Sequence, residues 1–132
     1  MKYVILTCRI LLGAMFLFAG SNSILNFIKA DLPPGDAGVW SALMMSHHYM
    51  SFVGLVMVVA GLLLLVGRFV PLALTLLGPV LVNILLFHFL FMPKGVIVGL
   101  ICTVMEIVLI LAYRRNFAPL FEPAPPPESP RL

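Results

Sequence analysis

Six residues able to hold a proton, an anion or a polar head group stand in or beside runs of sequence that are otherwise almost wholly apolar. They are Arg9, Asn22, His48, Asn83, His88 and Glu106. A charge or an amide in such surroundings needs a partner or a hydrated cavity. Arg9 lies about six residues inside the start of the first apolar run and Glu106 about seven inside the end of the last, roughly 9–11 Å below the same membrane face. That similarity of depth predicts an Arg9–Glu106 ion pair. Such a pair is either a clasp between the first and last helices or an anchor for a polar ligand group or proton. The second set (Asn22, Asn26, His47, His48, Asn83 and His88) gathers toward the opposite face, where it is expected to line a polar vestibule. Asn83 and His88 are about 140° apart around a regular helix, so both cannot point inward without local distortion. Neutral imidazoles invite a metal or haem. No carboxylate accompanies them in that half, so no metal site is expected. No Cys-x-x-Cys, phosphate-binding glycine loop or Ser-His-Asp arrangement offers a self-sufficient catalytic motif.

The elements that position these residues must be membrane helices. Of 132 residues, 62% are hydrophobic and 10% charged, and the mean hydropathy is +1.15. A soluble domain of this size cannot hide so much apolar surface from water. Apolar runs cover residues 3–28, 49–66, 69–92 and 95–113, each near or above the roughly 17–25 residues that cross a bilayer as a helix. They lack the strict alternation of barrel strands. Tight links at Gly67-Arg68 and Pro93-Lys94 force neighbouring helices to reverse direction. The expected fold is therefore an all-α membrane protein, an antiparallel bundle of four transmembrane helices over residues 1–118. Lys2, Arg9, Arg68, Arg114 and Arg115 fall on one side of such a bundle, and Lys29 and Lys94 on the other. The excess of positive charge places both termini in the cytoplasm.

Several finer expectations follow. Met1 to Ser23 has the outline of a signal peptide, but Arg9 interrupts its apolar run, so the first span is expected to be retained. The outer loop, residues 29–48, predicts a short helix within Ala37 to Met45 that either lies at the outer interface or caps the bundle. Residues 119–132 contain six prolines and read as a disordered cytoplasmic tail. Pro79 should kink the third span by removing the backbone bond to Thr75. Cys8 and Cys102 differ in depth by roughly 9 Å, too far for a disulfide. The net charge of +3 belongs to residues flanking the membrane and implies no nucleic acid.

Helical spacing also sorts the glycines onto faces. Arg9, Gly13, Phe16 and Gly20 share one stripe of the first span, and Gly54, Met57 and Gly61 share one of the second. Gly95, Gly99, Cys102 and Glu106 do the same on the last. Glycine stripes let helix backbones approach closely in lipid, so Gly13, Gly20, Gly54, Gly61, Gly95 and Gly99 are expected at helix-packing faces.

The order of these residues resembles the DoxX family of small bacterial membrane proteins. Arg9 to Gly13 followed by Phe16 to Gly20 is similar to that family's opening. Ala60 to Leu74 is similar to its second-to-third helix turn, and Asn83 to His88, Glu106 and Tyr113-Arg114 match one branch. The resemblance spans about residues 2–118 and implies a four-helix membrane bundle. It also implies an association with membrane redox systems, since the family is named after a protein similar to a subunit of a thiosulfate:quinone oxidoreductase. Ser23 and Met57 depart from it, standing where many relatives carry Lys and Glu. The leading expectation is an accessory subunit whose cavity, lined in part by Phe16, Met57 and Phe87, binds a quinone-like or lipid-like molecule. It would be at most a subunit of a quinone-linked oxidoreductase. Its expected partners are the lipid bilayer, membrane redox proteins or further copies of itself. Two alternatives stand beside it. One is a non-catalytic scaffold subunit; the other is a small-solute transporter with Pro79 and Asn83 at a constriction.

Overall fold

The computed structural model describes residues 1–128, and its regular elements are all helices. They are α1 (Lys2–Leu25), α2 (Asp36–Ser46), α3 (Tyr49–Val66), α4 (Val70–Phe91), α5 (Val96–Ala112) and the single turn α6 (Arg114–Phe117). Short 3-10 turns cover Pro93–Gly95, just before α5, and Ala118–Phe121. The helices α1, α3, α4 and α5, the last with its preceding 3-10 turn, are long and apolar enough to cross a membrane. By length and composition this is a multi-pass membrane protein.

The ends of the helices follow from local chemistry. α1 stops at Leu25, short of Ile28, because Asn26 turns left-handed (φ 49°) and sends its N–H to the Asn22 carbonyl at 2.7 Å. The Asn22 side chain completes the cap, its Oδ1 accepting the Ile28 N–H at 2.8 Å. α3 ends at Gly67, whose φ of +75° suits the left-handed C-cap glycine favours. Pro71 sits in the first turn of α4, where a missing N–H costs nothing. α4 continues through Pro79, leaving the Thr75 carbonyl without its helical donor. The polyproline segment forms no helix or strand from Glu122 to Glu128; the rest of the expected tail, residues 129–132, lies outside the described residues.

α1 and α3 form the most extensive contact in the molecule. A Cβ added at Gly20 would stand 2.6 Å from the Gly54 carbonyl oxygen, and one at Gly54 would stand 2.7 Å from that of Gly20. Gly13 and Gly61 are similarly reciprocal, at 3.0 and 2.8 Å from each other's carbonyl oxygens. Gly13 meets Gly61 while Gly20 meets Gly54, so α1 and α3 run in opposite directions. Around this seam Leu12, Leu64, Leu74, Leu77 and Leu109 are excluded from the surface. The densest core thus reaches from the Gly67 end to the middle of the helices. At the opposite end α2 lies across α3 and α4, with Trp40 against Phe87 at a ring separation of 4.8 Å.

Side chains at the seam should be poorly tolerated. Gly20→Val or Gly54→Val is expected to destabilise the detergent-solubilised protein by about 1–3 kcal/mol, as overpacking does. Gly78→Ala, whose Cβ would meet only Glu106 Oε1 at 3.8 Å, should leave stability unchanged or slightly raised. Thermal unfolding followed by circular dichroism measures both, and equal midpoints for Gly20→Val and wild type would contradict the seam.

Candidate functional site

Beside the Gly20–Gly54 half of the α1–α3 seam, the helices enclose a cavity of about 250 Å³. α1 contributes Phe16 and Ala19, and α3 contributes Met57. α4 adds Ile84 and His88 while α5 adds Gly99 and Cys102. The wall is almost wholly apolar. Ala19 and Val98 are the lining residues most open to the exterior, so the mouth lies between α1 and α5 and faces the side of the molecule.

His88 is the ring-nitrogen group of this wall. Its Nδ1 lies 2.7 Å from the Ile84 carbonyl. A carbonyl only accepts, so Nδ1 carries the proton and a neutral ring presents Nε2 as an acceptor. Close approach of the 3-10 turn before α5 holds the ring in place: a Cβ on Gly95 would fall 2.5 Å from its Cδ2 and 2.8 Å from Nε2. Gly95 therefore accommodates a side chain. Gly99 does likewise, its Cβ position standing 3.1 Å from Leu85 Cδ2, whereas Gly13, Gly20, Gly54 and Gly61 abut backbone.

Of the six polar residues singled out in the sequence, His88 alone lines the cavity. Asn22 is engaged in capping α1. His48 is exposed at the α2–α3 link, in a left-handed turn with φ 57°. Asn83 is exposed on the outside of α4, its amide donating to the Pro79 carbonyl at 3.0 Å. The expected vestibule of converging amides and imidazoles is therefore not formed. Pro79 is exposed on the same face, so Pro79 and Asn83 do not line an internal passage. Phe16 and Met57 do line the cavity, but Phe87 instead packs against Trp40.

The Arg9–Glu106 ion pair is also not formed. The Arg9 guanidinium reaches back to the α3–α4 turn, where its Nη1 would stand 2.6 Å from a Cβ on Gly67. Glu106, 4% exposed, points at Gly78, about 12 Å further along α4 by helical rise. Arg9 Nε and Glu106 Oε1 are both buried without a hydrogen-bond partner. The cause is directional. Side chains on a helix lean toward its N-terminus, and α1 begins at the Gly67 end whereas α5 begins at the α2 end. Residues of similar depth on such helices lean apart.

Among the described residues, no three His, Cys, Asp or Glu side chains come together in a way that could hold a metal ion. Cys8 and Cys102 are both free. Met15, Ala19, Leu81, Ile84 and Val98 carry no sequence signal that separates them from other apolar residues. The Gly95, Gly99, Cys102 stripe does carry one, since glycines facing side chains rather than backbone leave room. Compared with protein-family models, curated proteins and solved structures, the chain matches none of them.

If Arg9 and Glu106 act separately, their losses should add. A double-mutant cycle with Arg9→Gln and Glu106→Gln, read from chemical denaturation in detergent, is expected to give a coupling energy below about 0.5 kcal/mol. A coupling several times larger would mean that the two groups meet.

Proposed function

We propose that this chain is a DoxX-like accessory protein of a bacterial inner membrane that binds an apolar molecule bearing a polar head group and serves a membrane redox system. In this reading the helices form an antiparallel four-helix bundle with both termini cytoplasmic. Lys2, Arg68, Arg114 and Arg115 flank the Gly67 end of the helices, a distribution that fits the excess of positive charge on cytoplasmic loops.

The observation that carries the reading is the cavity: apolar, open to the side, and provided with one ring nitrogen. A cavity of about 150 Å³ suffices for benzene, so about 250 Å³ holds a substituted ring. It does not hold a long hydrocarbon chain. A tail would leave through the mouth at Ala19 and Val98 and lie along α1 and α5 in lipid. With Nδ1–H committed to Ile84, Nε2 of an uncharged ring would accept from a head group that donates a hydrogen bond. A hydroxyl does so, as in a reduced quinone; a bare carbonyl does not. The protein's part in this scheme is to hold and orient the molecule, since no group in the wall is arranged for bond-making.

Purification from native membranes followed by organic extraction and mass spectrometry tests the proposal. A retained apolar hydroxyl compound is expected at near-stoichiometric amounts. His88→Phe should lower its retention roughly three- to tenfold, the worth of one hydrogen bond. Ala19→Phe, at the exposed mouth, should block entry without disturbing the core. Wild-type protein that retains no more of any apolar molecule than Ala19→Phe would refute the reading.

A further inference from the structure

The geometry points to the outer face of α4 as the contact between two copies of this chain, paired through Asn83. The exposed face of this helix carries Leu72, Thr75, Pro79, Asn83, Leu86 and Leu90, successive residues three or four apart and hence in one column. The exposed positions of α3 from Phe52 to Val66, and those of α5, are apolar throughout. Among the four long helices, only α4 turns an exposed carboxamide outward.

Asn83 lies about 12 Å from the Phe91 end of α4, well inside a hydrocarbon layer of roughly 30 Å. The amide donates one N–H to the Pro79 carbonyl at 3.0 Å. Its second N–H and its Oδ1 make no hydrogen bond within the described residues, and around this exposed residue acyl chains offer neither donor nor acceptor. On the same column Pro79 strips the Thr75 carbonyl of its helical donor. A polar column of this kind in lipid calls for protein, and interhelical amide bonds are a recurrent form of glue.

The occupant follows from the chemistry of the amide. A carboxamide is both donor and acceptor, so two of them related by a two-fold axis satisfy each other with a pair of N–H···O bonds. A contact about such an axis uses the same patch on both subunits. One Asn on one exposed face therefore meets its match in a second copy. The cavity mouth lies between α1 and α5, so pairing through α4 leaves it free, and the contact is independent of any ligand.

Cysteine cross-linking of purified protein in lipid vesicles tests this, in a Cys8→Ser, Cys102→Ser background. Leu86→Cys, beside Asn83 on the column, should form a disulfide-linked dimer on mild oxidation. Leu62→Cys, on the exposed face of α3, should not. Adding Asn83→Leu should weaken self-association, measured by energy transfer between labelled copies, about 3- to 30-fold, the range for interhelical polar bonds. Asn83→Gln should retain it. Wild-type protein that stays monomeric at all protein-to-lipid ratios would overturn the inference. So would equal cross-linking at Leu62→Cys, or undiminished association in Asn83→Leu.

Discussion

The backbone contact between α1 and α3 constrains everything else in this protein. In hydrocarbon the hydrophobic effect gives helices no reason to associate, and close packing must supply the attraction. Gly13 against Gly61 and Gly20 against Gly54 bring two backbones together at both ends of a seam about two helical turns long. That seam fixes where α1 and α3 face and which way they run. α4 and α5 then pack around it, and their leucines fill the half nearest Gly67. Toward α5 the Gly20–Gly54 half of the seam has no comparable glycine contact, and there the helices leave a cavity.

Much of this architecture can be read from residue types. Length and hydropathy mark the four long helices, and the spacing of Gly13, Gly20, Gly54 and Gly61 marks the faces that meet. The short helix α2 was visible in Trp40 and its apolar neighbours following a proline–glycine turn, although it starts at Asp36. Side-chain direction was harder. The separation of Asn83 and His88 on one helix showed that one must face out, but nothing in the pattern said which. Packing decided it: the gap opposite Gly95 takes the imidazole, and the amide is left outside.

The ion pair failed for a reason that depth alone does not contain. Two residues at one level on oppositely directed helices send their side chains toward opposite ends. A long arginine chain magnifies the effect, carrying its guanidinium to Gly67 at the α3–α4 turn. Glu106 has no such reach and stays in the interior facing Gly78, one turn along α5 from Cys102 in the cavity wall. The carboxyl and the cavity are thus neighbours on one helix without sharing a space.

The packing of Trp40 against Phe87 gives the molecule a built-in optical reporter. The chain has one tryptophan, so its emission comes from a single indole, on α2. Phe87 is the residue next to His88, and the two rings meet edge to face at 5.6 Å. Whatever fills the cavity and presses on the imidazole alters the environment of that indole through one intervening ring. Occupancy of an otherwise colourless site becomes visible as fluorescence, without a label.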